Sequence, residues 1–185
     1  MDELSGRQMP HSIEAEQAVL GSMIIDSRCI ADVIGIVKAS DFYSPTNRAI
    51  FETIYTMFTY SMVTDPVTVL EQMRVSGVWN ENSAAYLLEL VNITPTSANV
   101  MEYAAIVRDM ALLRSIADAG GDVMNMALEG TGGAMSILEA AEKKIYALRQ
   151  GRNTAGLEPI SKILIDVYDQ LSQAAKSGSS LPGLA

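Results

Sequence analysis

The stretch Ser44-Pro45-Thr46-Asn47-Arg48-Ala49-Ile50-Phe51-Glu52-Thr53-Ile54-Tyr55-Thr56-Met57-Phe58 decides the fold class. Serine before proline is a helix start. The serine oxygen accepts one of the orphan amide N–H groups, and proline's missing N–H falls where a helix has no partner for it. Beyond this start, Ile50, Phe51, Ile54, Met57 and Phe58 fall at offsets 0, 1, 4, 7 and 8, the stripe of a helix with one side on a core. Asp65-Pro66 repeats the device and opens residues 67–75, which Gly77 stops. Upstream, Ser12 caps residues 13–25, with Leu20 and Ile24 on one side and Val19 and Met23 beside them. Asp26 or Ser27 opens residues 28–37, and residues 38–43 read as a loop. Ser83 caps a short helix striped by Tyr86, Leu87, Leu90 and Val91.

The texture changes after Pro95. Residues 97–129 contain no proline and read as one long helix, with Val100, Tyr103, Val107 and Met110 at stripe spacing. Gly120-Gly121 leaves a kink or break open, since each glycine costs about 1 kcal/mol against alanine in a helix. Residues 130–133 form a tight turn. In residues 134–150, Leu138, Ala141, Ile145 and Leu148 occupy heptad positions. Two helices joined by so short a turn are expected to lie antiparallel as a hairpin. A lone pair has little core, so the hairpin is expected to pack on another subunit, and Val107, Met110, Leu138, Ala141, Ile145 and Leu148 are its candidate self-association residues. Pro159 then opens a helix to about residue 176, whose Ile160, Ile163, Leu164, Val167 and Leu171 form the cleanest stripe in the chain. Flexible segments fence it on both sides, so it reads as a docking helix rather than one folded back on its own hairpin.

The predicted fold class is therefore all-α. Residues 1–10 are a disordered leader, 11–95 a compact helical bundle and 96–150 the antiparallel hairpin. Residues 151–158 are a linker, 159–177 a separate amphipathic linker helix and 178–185 a flexible tail.

The 185 residues carry 22 acids and 13 bases, a net charge of -9. Residues 1–99 hold 12 of the acids and only 5 of the bases. Such a surface repels phosphate, so strong direct DNA binding is not expected. A single cysteine, Cys29, excludes a disulfide framework and fits a reducing compartment. No apolar run reaches the length of a membrane span, and the start of the chain lacks a signal-peptide pattern, so the expected location is cytoplasmic.

Chemistry-bearing patterns are absent from the sequence. It has no Gly-x-x-x-x-Gly-Lys-Ser/Thr or Gly-x-Gly-x-x-Gly loop, and Gly130-Thr131-Gly132-Gly133 reads as the hairpin turn. One histidine and one cysteine do not supply a zinc site. His11 reads as a residue flanking a helix cap, and Cys29 as a small buried hydrophobe. Glu14 and Glu16, two apart, point to different sides of a helix and favour its first turn through the dipole. Trp79 suits either a lid over the core or a contact surface. Met124 and Met126 read as adaptable residues near the hairpin tip. No catalytic, cofactor or metal residue is assigned.

Pro10-His11-Ser12-Ile13-Glu14-Ala15-Glu16-Gln17-Ala18-Val19-Leu20-Gly21 resembles the opening of bacterial replicative DNA helicases of the DnaB family. Asp41-Phe42-Tyr43 with Ile50-Phe51 and Ile54 is similar to that family's next block. Asp65-Pro66-Val67-Thr68 with Leu70 is similar to its third. Tyr86-Leu87, Leu90, Pro95, Ala98-Asn99, Tyr103-Ala104 and Ile106-Val107 are similar to its fourth. One departure is Asn47, where the family often has histidine. The resemblance implies an N-terminal domain plus linker helix that precedes an ATPase domain, with ATP and magnesium belonging to that missing domain. It implies self-association from dimer to hexamer, as a trimer-of-dimers collar, and a linker helix docked on a neighbour's motor. It also implies docking of the primase C-terminal domain, and it allows a helicase loader as a further partner. A stand-alone helicase-interaction protein, such as a primase helicase-binding domain or a phage regulator of similar architecture, is the alternative reading.

Overall fold

A computed structural model of the chain describes residues 8–130 and 132–150. The linker helix expected at 159–177, with Ile160, Ile163, Leu164, Val167 and Leu171, lies outside the described residues. The described residues are helical, with no strand among them. The helices are α1 (Ile13–Ile25), α2 (Ile30–Ile36), α3 (Pro45–Thr59), α4 (Pro66–Val75), α5 (Ser83–Ile93), α6 (Val100–Glu129) and α7 (Ala134–Gln150). Short 3-10 turns at Ser27–Cys29 and Ala39–Asp41 precede α2 and α3. The second was expected as loop. Asp41 tightens it, its Oδ2 accepting the Lys38 N–H at 3.0 Å.

The caps fall where the residue types place them. Ser12 Oγ accepts the Ala15 N–H at 3.2 Å, and Ser44 Oγ accepts the Asn47 N–H at 3.3 Å. Asp65 Oδ1 accepts from Val67 and Thr68, while Thr68 Oγ1 accepts the Asp65 N–H in return, a closed capping box that starts α4.

Of the described residues, those up to Ala141 form one compact unit; a second begins at Glu142, of which the structure describes 142–150. In the first unit, α1 lies at the centre against α3, α5 and α6. Val19, Leu20 and Met23 of α1 are fully buried with Phe42, Ile50, Ile54, Met57, Leu90 and Ala104. Phe58 departs from its expected place on the core side of α3 and is 41% exposed. Five apolar positions overfill the stripe, and Met57 takes the inner place. Helix α6 runs through Gly120-Gly121 without interruption.

At the end of α3 the chain reverses through Ser61, with φ 54° in the left-handed region. The Met62 N–H bonds to Met57 O at 2.8 Å and the Ser61 N–H to Phe58 O at 3.0 Å, a helix end that normally uses glycine. Ser61→Gly is accordingly expected to stabilise the domain by about 0.5–1 kcal/mol, since the side chain strains this conformation. A urea titration checks this; a lower midpoint for the glycine variant would show that Ser61 is not strained.

Candidate interaction surface

The described side chains do not assemble an acid–base or nucleophilic centre. His11 stacks on Tyr43 with ring centroids 4.2 Å apart, and its Nδ1 lies 2.7 Å from Met9 O. Cys29 is half-buried rather than buried as expected, because it sits at the surface start of α2. Burial, with the carboxyl of Asp26 adding to it, pushes its thiol up to about 11. It therefore stays protonated at neutral pH, the wrong state for a nucleophile. No group of three or more candidate metal ligands occurs among the described residues.

Polar chemistry serves architecture instead. Glu16, 1% exposed, accepts the Tyr43 N–H at 2.6 Å on Oε1. Its Oε2 accepts the Ser44 N–H at 3.2 Å and Asn47 Nδ2–H at 2.8 Å. Tyr86 Oη donates to Asn47 Oδ1 at 2.7 Å, and Gln17 Nε2 donates to Tyr86 Oη at 3.2 Å. Desolvation of Tyr86 raises its phenol pKa, which keeps it the donor this chain of bonds needs. The network ties α1, α3 and α5 to the turn before α3. Arg114 of α6 holds the same turn from the other side. It donates to Asp41 O and, at 2.7 Å, to Pro10 O, and its guanidinium lies 5.6 Å from the Tyr43 ring. Met9 and Pro10, at the end of the expected leader, are thus already fastened.

The sequence missed Glu16 by reading it as a first-turn surface acid. A signal existed: four residues before Leu20 and seven before Met23, Glu16 shares their helical side.

Large apolar side chains also face outward. Helix α6 exposes Ile106, Leu113, Ile116, Met124 and Leu128, and α7 exposes Met135, Leu138, Ile145 and Tyr146. Between them lies a glycine turn. Gly130 at φ 64° ends α6, its N–H bonding to Met126 O at 3.1 Å, and Gly132 and Gly133 also have positive φ. Of the expected self-association residues, Leu138 and Ile145 are 51% and 53% exposed, and Met110, Ala141 and Leu148 are half-buried. Val107 does not belong with them. It is 2% exposed in the bundle core, because the inner end of α6 turns it towards the other helices. Met124 is exposed and Met126 half-buried. Trp79 is 40% exposed with the Arg74 guanidinium 5.3 Å from its ring, so it is a surface residue rather than a lid. No helix of the described residues is long and apolar enough to cross a membrane.

Comparison with known proteins places this architecture. The model of the DnaB-like helicase N terminal domain matches residues 8–109. The replicative DNA helicase DnaB of Mycobacterium leprae is 32% identical over 176 residues, which is 94% of this chain and 29% of that helicase. The chain thus spans under a third of that relative's length. The crystal structure of the N-terminal domain of DnaB helicase from Mycobacterium tuberculosis is similar at a TM-score of 0.71 and 34% identity. That match covers 76% of this chain and 99% of the other. The N-terminal domain of DnaB helicase from Helicobacter pylori, described together with its interactions with primase, gives a TM-score of 0.55 at 20% identity. It covers 69% of this chain and 98% of the other, and at that identity it shares the fold alone. With more than half of its length inside the matched domain, the chain belongs to the family of DnaB-like helicase N terminal domains.

Proposed function

We propose that this chain is the non-catalytic N-terminal collar of a hexameric replicative DNA helicase, joining subunits and receiving the primase C-terminal domain. The observation that carries the reading is the exposure of apolar side chains on both helices: Leu113 on α6, and Leu138 and Ile145 seven residues apart on α7. Exposed apolar area of this kind marks a surface that another protein covers. ATP and magnesium belong, on this reading, to a motor domain beyond these residues, on which the stripe from Ile160 to Leu171 docks. The net charge of -9 supports a collar that does not grip DNA itself. The interactions with primase described for the Helicobacter pylori domain support the docking role.

Calorimetric titration of the chain with a primase C-terminal domain tests this. Saturable binding, with no ATP turnover by the chain alone, is the expected result. Absence of binding up to high micromolar concentration would remove the primase role, and ATP turnover abolished by a point change in this chain would remove the non-catalytic one.

A further inference from the structure

A second apolar surface lies away from α6 and α7. Two contiguous depressions of about 600 and 620 Å³ run between α2 and α3, sharing Ile34 and Tyr55. The first reaches Val37 and Phe51; the second reaches Ile30, Phe58 and Met62. Tyr55 borders both and is 48% exposed, so it stands as a ridge between two hollows. One base and one acid, Lys38 and Glu52, line the first depression, and both are exposed. Neither has an ion-pair partner among the described residues. Of the six bases of residues 8–130, Arg28, Arg74 and Arg108 pair with acids, and Arg48 and Arg114 donate to backbone carbonyls. The Lys38 ammonium does neither among the described residues.

A helix with flanks of one sign would satisfy one of Lys38 and Glu52 and oppose the other. A surface that carries one charge of each sign beside a ridge and a hollow is instead complementary to itself. Rotation about a two-fold axis sets residue i against j and j against i. We infer that the α2–α3 groove pairs with the same groove on a second copy of this chain. Lys38 of each copy meets Glu52 of the other, and each Tyr55 enters the first depression opposite. The net charge of -9 does not forbid this. At physiological salt it is screened beyond about 8 Å, whereas the two ion pairs are in contact. The pairs set the register, and the apolar side chains supply the affinity. Fifteen residues line the two depressions, fewer than the roughly 20–30 on each side of a stable interface. The pairing is therefore weak, with a Kd on the order of millimolar, and it leaves micromolar association to α6 and α7. The inference does not rest on the reading of that surface.

The test uses the full chain carrying Ile145→Asp, which removes the contact expected at α6 and α7, and follows NMR signals from micromolar to millimolar concentration. The signals of Ile34, Tyr55 and Phe58 are expected to shift with concentration. That of Val75, 74% exposed on α4 outside the groove, is expected to stay. Lys38→Glu and, separately, Glu52→Lys should each weaken the pairing about tenfold, since like charges then oppose each other. Circular dichroism melts identify the variants that remain folded. An equimolar mixture of the two should pair at least as tightly as the parent, because one copy then brings two acids and the other two bases. The double variant, with the charges exchanged, should pair as the parent does. Single variants that pair like the parent, or a mixture no tighter than either variant alone, would overturn the inference. Groove signals independent of concentration would also overturn it and leave the groove to a different protein. If Ile145→Asp leaves the mass of the assembly unchanged, the α6 and α7 reading fails, while the charge exchange still reports on the groove.

Discussion

Glu16→Ala is expected to destabilise the domain by about 3 kcal/mol, while Glu14→Ala two residues away changes stability by less than about 0.5 kcal/mol. Glu14 is exposed, so its loss removes a favourable place near the helix dipole and one exposed hydrogen bond, from Ser12 Oγ at 3.3 Å. Glu16 is 1% exposed and accepts three hydrogen bonds, two of them from the backbone of Tyr43 and Ser44. Removing it leaves those N–H groups and the Asn47 amide without their acceptor inside the protein, where water competes poorly. The loss also frees the Asn47 amide that accepts from Tyr86, leaving Gln17 as the remaining bond from α1 to Tyr86. For a domain of this size the change corresponds to a fall in Tm of roughly 8–12 °C. Glu16→Gln retains the volume but turns a donor towards donors, so it should recover less than half of the loss. Thermal melts of the three variants check this. A Glu16→Ala protein that melts within about 2 °C of the parent, a margin of about 0.5 kcal/mol, would mean that the network does not bear on stability.

Gly21→Ala should cost about as much, for a steric reason. A Cβ at Gly21 would stand 2.2 Å from Thr94 Oγ1 and 2.5 Å from Leu90 O. The Thr94 hydroxyl can rotate away; the Thr94 Cβ, at 2.7 Å, and the backbone carbonyl of Leu90 cannot. Helices α1 and α5 would have to separate, and α1 is the element on which α3, α5 and α6 all pack. Overpacking of a well-filled core typically costs 1–3 kcal/mol, and contact with backbone places this site at about 3 kcal/mol. The double variant Gly21→Ala with Thr94→Ala should recover only part of the loss, since Leu90 O and the Cβ at position 94 remain in the way. Chemical denaturation measures both. Full recovery in the double variant would show that the side chain alone sets the close approach.

These two residues mark where sequence reading stopped. The helix starts at Ser12, Ser44 and Asp65 were legible because capping is local: donor and acceptor lie within three residues of each other. The sides of α1 and α3 were legible because burial follows the helical period. Glu16 was not, because its partners stand at positions 43, 44 and 47 and only the packed fold brings them together. The same holds for Gly21, whose meaning depends on the carbonyl of Leu90. Phe58 and Val107 were placed by periodicity on a side that tertiary packing redistributed: Met57 displaced the one, and the bundle took in the other. Gly120-Gly121 weakened the expectation of a continuous helix, yet α6 continues through both. Propensity of about 1 kcal/mol per glycine is small against the rest of a thirty-residue helix. The family was legible from four ordered blocks, whereas the interaction residues were legible only as exposed apolar positions, and Val107 shows the limit of that rule.

The central claim is that the chain is an assembly module whose α6 and α7 surface joins it to further copies. Multi-angle light scattering on the purified chain, from low to high micromolar concentration, tests it most directly. Covering Leu138 and Ile145 removes from water side chains worth roughly 1.5–3 kcal/mol each when fully buried. The account predicts a mass of a dimer or larger, reduced to the monomer in Leu138→Asp and Ile145→Asp, both at exposed positions that leave the bundle core untouched. A monomer at every concentration, or an assembly unchanged by both substitutions, would contradict it.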